Sequence, residues 1–534
     1  ASASISTERT GLHRSLAALL STDPGIPPEV VADHWLGAQA PSTAWIWLLR
    51  GALVAGQVGA VARCRALVDQ ATAIHPLNAP PEDTGGLDLV EVETAWLGAL
   101  VQSGESDAAE DLVRRRLARA GERWPHQPWR KGVLFATALA GLMWARLRPP
   151  PPWASDEDAR QGMQVGQAVG LLATSHMHKN KPIQAIVGSI IALYHARRAR
   201  PEDPIAPLMT GLAAFLVFMG FETWSSQVLA LAYTHARQSG RDLQSVYTID
   251  VFCSLCRARW ARLDQLSRPA LDAAHRTGDI QSQVRIMVFA LSSDVIRGRT
   301  RDRIPVCQSA VTLARNNGYP DQLILLTQLA QLNVLKGDLD AAAAALDTIA
   351  GIPLPVDAPN FAASVCEAKL LHAMARDHAD GVEDLTATLS EMITSQRMLN
   401  PGYTTAAIRA AEGWLWIAER RPARRTDALE RVVPLLRSLK RLGRMTVACA
   451  VMRPVLVARR QRLLGDPMAA LRTIQSILPR LEDDGYIAYE ACARRELALI
   501  HPADAAVQHD RIRNLCAAAD LQVPLPFLPP PSAA

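Results

Sequence analysis

The stretch LLTQLAQLNVLKGDLDAAAAALDTIAG, Leu325–Gly351, predicts two antiparallel helices joined by a tight turn. Residues three and four apart share one face of a helix, which places Leu326 beside Ala330 on the first helix and Ala342 beside Leu346 on the second. The two alanines are small enough to let the helix backbones approach closely. The stretch therefore describes one unit of a structure built from packed helix pairs.

The turn inside this stretch has its own signature. Gly337 permits the left-handed conformation that ends a helix, and the Asp338 side chain is suited to cap the helix that follows. Small turns of this kind recur every seventeen to twenty residues, for example at Gly220, Gly298 and Gly465. The spacing predicts an all-α fold, a right-handed superhelix of about eleven or twelve antiparallel helix pairs.

The Leu325–Gly351 unit resembles a tetratricopeptide repeat. The apolar and small positions of that repeat match Leu326, Ala330, Ala342 and Leu346. This chain has Asn333 where the first helix of the repeat usually carries an aromatic residue, and it has no closing proline after the second helix. The resemblance implies a solenoid that binds a partner along a concave surface.

Length and composition are consistent with such an array. A chain of 534 residues is too long for one compact core, but repeats need only pack against their neighbours. Eight cysteines lie in apolar helical contexts, which predicts buried, reduced thiols and a cytoplasmic location. We find no apolar run long enough to span a membrane and no signal peptide, and the missing initiator Met indicates a piece of a longer protein.

Proline-rich segments divide the chain. We expect junction helices over 1–40, N-terminal repeats over 41–147, a break at 148–158, the main superhelix over 159–519 and a proline-rich tail over 520–534. Four consecutive prolines in the break exclude a helix there.

The segment His13–Gly56 resembles a junction in large bacterial signalling ATPases of the STAND class. In those proteins a helix of the form HR.LA..L is followed by PE.LA.HW..A and then by the first superhelical repeat. The matching residues here are His13, Arg14, Leu16 and Ala17, followed by Pro28, Glu29, Ala32, His34 and Trp35.

The resemblance implies a sensor arm that controls an upstream nucleotide-binding switch, in a regulator that is usually transcriptional. The arm would bind a protein, a peptide or a small inducer in its concave groove, and would dock onto the switch domain. The sequence contains no phosphate-binding G-x-x-x-x-G-K-[ST] loop, so we expect neither catalysis nor a cofactor in this chain. The alternative is a free-standing adaptor or peptide-sensing repeat protein.

Two tryptophan pairs are candidate partner-binding residues. Trp45 and Trp47 are two residues apart, as are Trp414 and Trp416. Side chains two apart on a helix point in different directions, so we expect that both members of a pair cannot face inward. One member of each pair is then available to line the groove, where aromatic anchors supply much of the binding energy.

A basic stripe is the second candidate surface. Between Arg397 and Arg495 there are 19 basic and 9 acidic residues. Three-and-four spacing places four of the basic residues on one helical face: Arg437, Lys440, Arg441 and Arg444. This stripe is suited to nucleic acid, to an acidic partner or to an acidic domain of the same protein. An ordinary solvated helix face explains it equally simply, because no aromatic residue is interleaved with it in the sequence.

Three further groups contain residue types that can form a chemical site. Cys253 and Cys256 have a spacing used by zinc and redox sites, but no second ligand pair lies nearby, which favours a core position. His176 and His178 fit a helix end better than a metal site. The acidic cluster of Glu482, Asp483 and Asp484 favours a solvated turn, with a magnesium-dependent all-helical enzyme as the alternative.

Overall fold

The computed structural model describes most of the chain. The described residues are 2–57, 60–77, 79–103, 105–121, 127–147, 155–179, 181–198, 203, 205–352, 354, 359–395 and 401–522. The turn expected at Gly104, most of the 148–158 break and most of the 520–534 tail lie outside them.

Within the described residues the chain forms 25 α-helices and three short 3₁₀ turns, and it contains no strand, so the all-α helical-repeat fold is confirmed. The helices are α1 (Ser2–Leu20), α2 (Pro28–Gly37), α3 (Pro41–Gln57), α4 (Val61–Ile74), α5 (Leu89–Ser103), α6 (Ser106–Arg119), α7 (Pro128–Leu147), α8 (Asp156–His178), α9 (Pro182–His195), α10 (Ala206–Phe218), α11 (Glu222–Ser239), α12 (Leu243–Cys256), α13 (Trp260–Thr277), α14 (Ile280–Arg297), α15 (Arg303–Asn316), α16 (Gln322–Lys336), α17 (Leu339–Ala350), α18 (Pro359–Ala375), α19 (Ala379–Thr394), α20 (Thr404–Arg420), α21 (Arg425–Leu442), α22 (Val447–Leu463), α23 (Pro467–Asp483), α24 (Ile487–Ile500) and α25 (Ala505–Ala519).

The unit around Leu325–Gly351 folds as its sequence predicts. It forms α16 and α17, with Gly337 in the left-handed region at φ +94° between them. The Asp338 carboxylate accepts a hydrogen bond of 3.0 Å from the Ala341 backbone N–H. Ala330 and Ala342 are both fully buried where the two helices meet. Local capping and small-residue packing thus explain this helix pair.

The helices form an inner and an outer layer. From α10 onward each even-numbered helix contacts the next even-numbered one, while the odd-numbered helices lie outside them. The inner helix α20 shows the consequence, because it is covered by α18, α19, α21 and α22 and buries nearly all of its side chains. A helix that is apolar around most of its circumference is typical of such an inner position.

Successive turns of the superhelix stack on one another. Helix α14 contacts α24, ten helices later, so about ten helices complete one turn. The Thr300 hydroxyl donates to the carbonyl oxygen of Ala519 at 2.8 Å, and the Gln522 N–H donates to that of Leu335 at 2.7 Å. An apolar cluster also joins α3–α5 to α14–α16. The solenoid is therefore wound tightly enough that its turns share cores.

The packing is continuous across the proline-rich break. One apolar cluster contains Leu97 and Val113, which precede the break, together with Met163 and Leu172, which follow it. Ser155 caps α8 directly after the break by accepting a hydrogen bond from the Asp158 N–H at 3.1 Å. The helices on both sides of the break therefore belong to one body.

Candidate ligand-binding surfaces

The tryptophan pairs are mostly core residues. Trp45, Trp414 and Trp416 are essentially inaccessible, whereas Trp47 is partly exposed beneath the Arg50 guanidinium, 4.6 Å from its ring centroid. The expectation that both members of a pair cannot face inward is wrong for Trp414 and Trp416. It fails because α20 is covered on several sides, so that residues on different faces are all buried.

Trp414 also has a clear structural role. Its indole N–H donates to the Ser390 hydroxyl of α19 at 2.9 Å. A buried indole needs such a partner, and this one fixes the spacing of α19 and α20. The described geometry therefore gives Trp414 and Trp416 no surface on which to touch a partner. Partner binding at Trp47 stays a prediction.

The four residues of the basic stripe surround one cavity. Arg437, Lys440, Arg441 and Arg444 are all exposed and line an open cavity of about 570 Å³, together with Thr394, Pro434 and Ser438. We call this the basic cavity. The helical spacing in the sequence therefore brings the four cations to one place. Whether they bind a partner stays a prediction.

Most other arginines of the arginine-rich region are paired. The Glu419 carboxylate meets three guanidinium groups, with Arg459 at 2.9 Å, Arg495 at 3.4 Å and Arg462 closer still. Burial opposes ionisation of this carboxyl, but the charges of Arg459, Arg495 and Arg462 outweigh it and hold the pKa of Glu419 at about 2. The local excess of arginine is thus partly a structural network.

The inner surface of the C-terminal turn is filled by its own side chains. Arg409 donates to Glu412 at 2.5 Å, and the Tyr489 hydroxyl donates to the same carboxylate. Thr405 donates to Glu367 at 2.8 Å. These groups come from α18, α20 and α24, and they leave a void of only about 20 Å³ beside them. We call this set the buried centre, and it closes the groove that a solenoid would otherwise present here.

The buried centre contains a perturbed acid. Burial raises the pKa of Glu367 to about 7, although Arg409 and the Thr405 hydroxyl favour its ionised form. Burial likewise raises the pKa of Tyr489 well above its usual range. No sequence pattern marks this cluster, because its members are scattered over more than a hundred residues.

The inner surface of the N-terminal turn is open. An exposed cavity of about 670 Å³ lies between α3–α5 and α8. We call it the N-terminal groove. Its apolar and polar lining comprises Leu53, Gly56, Val61, Val90, Thr94, Ala95, Gly98, Ala99, Ala159, Met163, Gln164, Gln167 and Leu171. Its volume is within the range of ordinary small-molecule and peptide sites.

Charges around the N-terminal groove are mainly negative. Asp88, Glu91, Asp156 and Asp203 line it, against Arg160 and Arg241. Arg160 is already paired with Glu157 at 2.7 Å, which reduces its effect on a ligand. The lining therefore favours a ligand that carries positive charge.

No sequence pattern marks the N-terminal groove. Its lining comes from five separate stretches between residues 53 and 241, and no single helix carries a motif. The one local signal is Gly98 in the middle of α5, where a helix interior ordinarily disfavours glycine. A methyl group placed on Gly98 would meet nothing within 4 Å, so the position opens into free space.

The cysteines, two residues of the acidic cluster at 482–484 and His176 are buried or paired within the fold. All eight cysteines are buried and unpaired, and burial raises the pKa of Cys253 to about 12. Of the acidic cluster, Glu482 is paired with Arg494 at 2.5 Å and Asp484 with Arg480 at 3.2 Å. No cluster of three metal-binding side chains occurs among the described residues. His176 is buried, and the His178 side chain lies outside the described residues.

The junction motif forms a packed structure. The rings of His13 in α1 and His34 in α2 meet with 3.0 Å between their Nδ1 atoms, and Ala17 and Ala32 are fully buried. Glu29 forms an ion pair with Arg63 of α4. The motif residues thus attach α1 and α2 to the first repeats.

Comparisons with known proteins give little beyond the fold. No protein-family profile and no curated protein sequence matches the chain. Among solved structures, a Rap protein complexed with competence and sporulation factor is 13% identical, with 67% of this chain and 99% of that chain covered and a TM-score of 0.40. The pentatricopeptide repeat protein PPR10, in complex with an 18-nucleotide psaJ RNA element, is 13% identical over 95% of this chain and 96% of that chain, with a TM-score of 0.22.

No helix in the described part of the chain combines the length and the apolar character that crossing a membrane requires.

Proposed function

We propose that this chain is a binding module without catalysis of its own, and that its ligand occupies the N-terminal groove. The observation that carries the proposal is the contrast between two turns of one solenoid. The C-terminal turn fills its centre with side chains and leaves about 20 Å³, whereas the N-terminal turn keeps about 670 Å³ open. A groove retained in a tightly packed array is the expected place for a ligand.

The lining supports a ligand with positive charge and apolar side chains. Leu53, Val61 and Met163 offer apolar contact, while Asp88 and Glu91 supply carboxylates to the lining. A short basic peptide satisfies both requirements, and an amine-bearing small inducer is the smaller version of the same chemistry.

We further propose that the module is the sensor arm of a bacterial STAND-type transcriptional regulator. The support is the junction motif, whose residues pack α1 and α2 onto the first repeats. A ligand bound between α5 and α8 would alter the curvature of the N-terminal turn. Helix α5 contacts α3, α3 contacts α2 and α2 contacts α1, so the change would reach α1 through this series of contacts. A domain attached before α1 would then be coupled to the groove.

The groove is tested by filling it. Gly98→Leu places a side chain in open space inside the groove, whereas Gly132→Leu adds the same side chain at an exposed position of α7 where a methyl group also meets nothing. The probes are octapeptides of equal apolar content with net charges of about +2, 0 and −2, titrated calorimetrically. We expect the basic peptide to bind best, Gly98→Leu to weaken it at least about tenfold, and Gly132→Leu to leave it unchanged.

Three results would contradict the groove assignment. None of the peptides binds, the acidic peptide binds best, or the two leucine variants bind the basic peptide equally well. The regulator context is tested separately, in the full-length gene product. We expect a phosphate-binding loop upstream of residue 1 and a nucleotide turnover that responds to Gly98→Leu. A gene without that loop would favour the free-standing adaptor, while the groove result would still stand.

A further inference from the structure

A turn from a distant part of the chain lies beside Arg444, one of the residues that line the basic cavity. Helix α10 is followed by the turn that contains Gly220, and this turn touches Arg444 in the turn that follows α21. A methyl group placed on Gly220 would lie 3.1 Å from the carbonyl oxygen of Arg444. The stacking of superhelical turns thus joins two segments that are 224 residues apart in the sequence.

This turn presents an aromatic pair to solvent. The rings of Phe221 and Trp224 are stacked, with centroids 5.7 Å apart and planes inclined by 24°. Phe221 is 50% exposed and Trp224 is 62% exposed. Scattered exposed apolar residues are ordinary, but two large rings stacked on each other at the surface form a platform. Its first residue directly follows the glycine that contacts Arg444.

The cations of the basic cavity are available to a ligand. Within the described residues, no Asp or Glu forms an ion pair with Arg437, Lys440, Arg441 or Arg444. By contrast, Arg424 and Arg431, near the other end of the same helix, share Asp427 at 3.2 and 2.9 Å. Four uncompensated cations around about 570 Å³ create a strongly positive surface.

We infer that this combined surface binds single-stranded nucleic acid, with phosphates in the basic cavity and bases stacked on Phe221 and Trp224. An acidic protein would use the cations but would have no need of a flat aromatic platform. A duplex would also use the cations, but its bases are stacked inside and cannot reach the rings. A single strand uses both parts, as proteins that bind it without sequence preference do.

This surface is separate from the N-terminal groove, and the inference does not rest on the proposed function. None of the residues of the basic cavity or the aromatic pair lines the groove. Gly98→Leu is therefore expected to leave nucleic-acid binding unchanged, which allows the two proposals to fail independently.

The test is fluorescence anisotropy with a labelled twelve-nucleotide oligothymidylate in about 50 mM salt. We expect the double variant Arg437→Gln, Lys440→Gln to weaken binding at least about tenfold and to make its salt dependence shallower. Trp224→Ala should weaken binding about tenfold through lost stacking. The matched controls are Arg472→Gln, an exposed arginine on α23, and Trp129→Ala, which removes an indole that is 63% exposed on α7.

All substituted side chains are exposed, so unchanged thermal midpoints will show that the variants fold. Equal effects of the controls and the site variants would overturn the inference. So would an absence of binding, tighter binding of a duplex of the same length, or binding of polyglutamate as tight as that of the oligonucleotide. Retention of full affinity by Trp224→Ala would remove the aromatic platform from the site and overturn it as well.

Discussion

Glu367 gives the C-terminal turn a stability that depends on pH. Its carboxyl lies in the buried centre with a pKa of about 7, against an unperturbed value of 4.5. Between these two values the folded protein retains a proton that the unfolded chain has lost. The contribution of Glu367 to the unfolding free energy is therefore fully present below about pH 4.5, and it is lost as pH rises from there to about 7.

The size of the effect follows from the two pKa values. Their difference of about 2.5 corresponds to about 3 kcal/mol of unfolding free energy, lost between the two ends of the window. Glu367→Gln keeps the shape of the side chain and cannot ionise. The variant should therefore gain stability relative to the wild type as pH rises, by up to about 3 kcal/mol between pH 4.5 and pH 8.

Urea unfolding at several pH values, followed by the far-ultraviolet circular dichroism of the helices, measures this difference. Glu430→Gln, at an exposed position of α21, controls for the removal of a carboxylate from the surface. The reasoning is refuted if the difference between Glu367→Gln and the wild type does not change with pH, or if Glu430→Gln shows the same trend.

Four further substitutions test the packing by urea unfolding. Trp414→Ala should lower the unfolding free energy by about 3 to 5 kcal/mol, because it leaves a cavity in the core and removes the indole N–H that donates to Ser390. A loss below about 1 kcal/mol would contradict the burial of Trp414. Gly298→Ala should cost more than Gly465→Ala. Both glycines have a positive φ, so alanine is strained at either position. Only at Gly298 would the new methyl group also lie 2.8 Å from the Cβ of Ala488, on the next superhelical turn. Equal losses of unfolding free energy for the two variants would argue against stacked turns. Glu419→Gln should lower the unfolding free energy by about 3 kcal/mol near neutral pH, because the ionised carboxylate pairs with three guanidinium groups. Since the pKa of Glu419 is lowered in the folded state, this loss should shrink as pH falls from 4.5 towards 2. A loss that does not change with pH would exclude the network.

The fold could be predicted because its signals are local. Gly337 ends one helix, Asp338 caps the next, and Ala330 and Ala342 set the approach of the pair. These features act within one unit, so a single stretch of sequence contains all of the information. The basic stripe was predicted for the same reason, since Arg437, Lys440 and Arg441 lie in α21 and Arg444 lies in the turn that directly follows it.

The rest depends on how the superhelix winds. Whether Trp416 is buried depends on which helices cover α20, and that follows from the packing of four neighbouring helices. The closeness of Gly220 to Arg444 requires one full superhelical turn between them. The N-terminal groove stays open and the buried centre closes because of side-chain volumes contributed by distant helices. Helical periodicity in one segment carries none of these long-range relations.

Hydrogen exchange of the wild-type protein with and without the basic octapeptide tests the central proposal most directly. We expect slower exchange in α5 and α8, the helices that line the N-terminal groove, and no change in α21. Unchanged exchange in α5 and α8 at a saturating peptide concentration, or protection confined to the C-terminal turn, would contradict it.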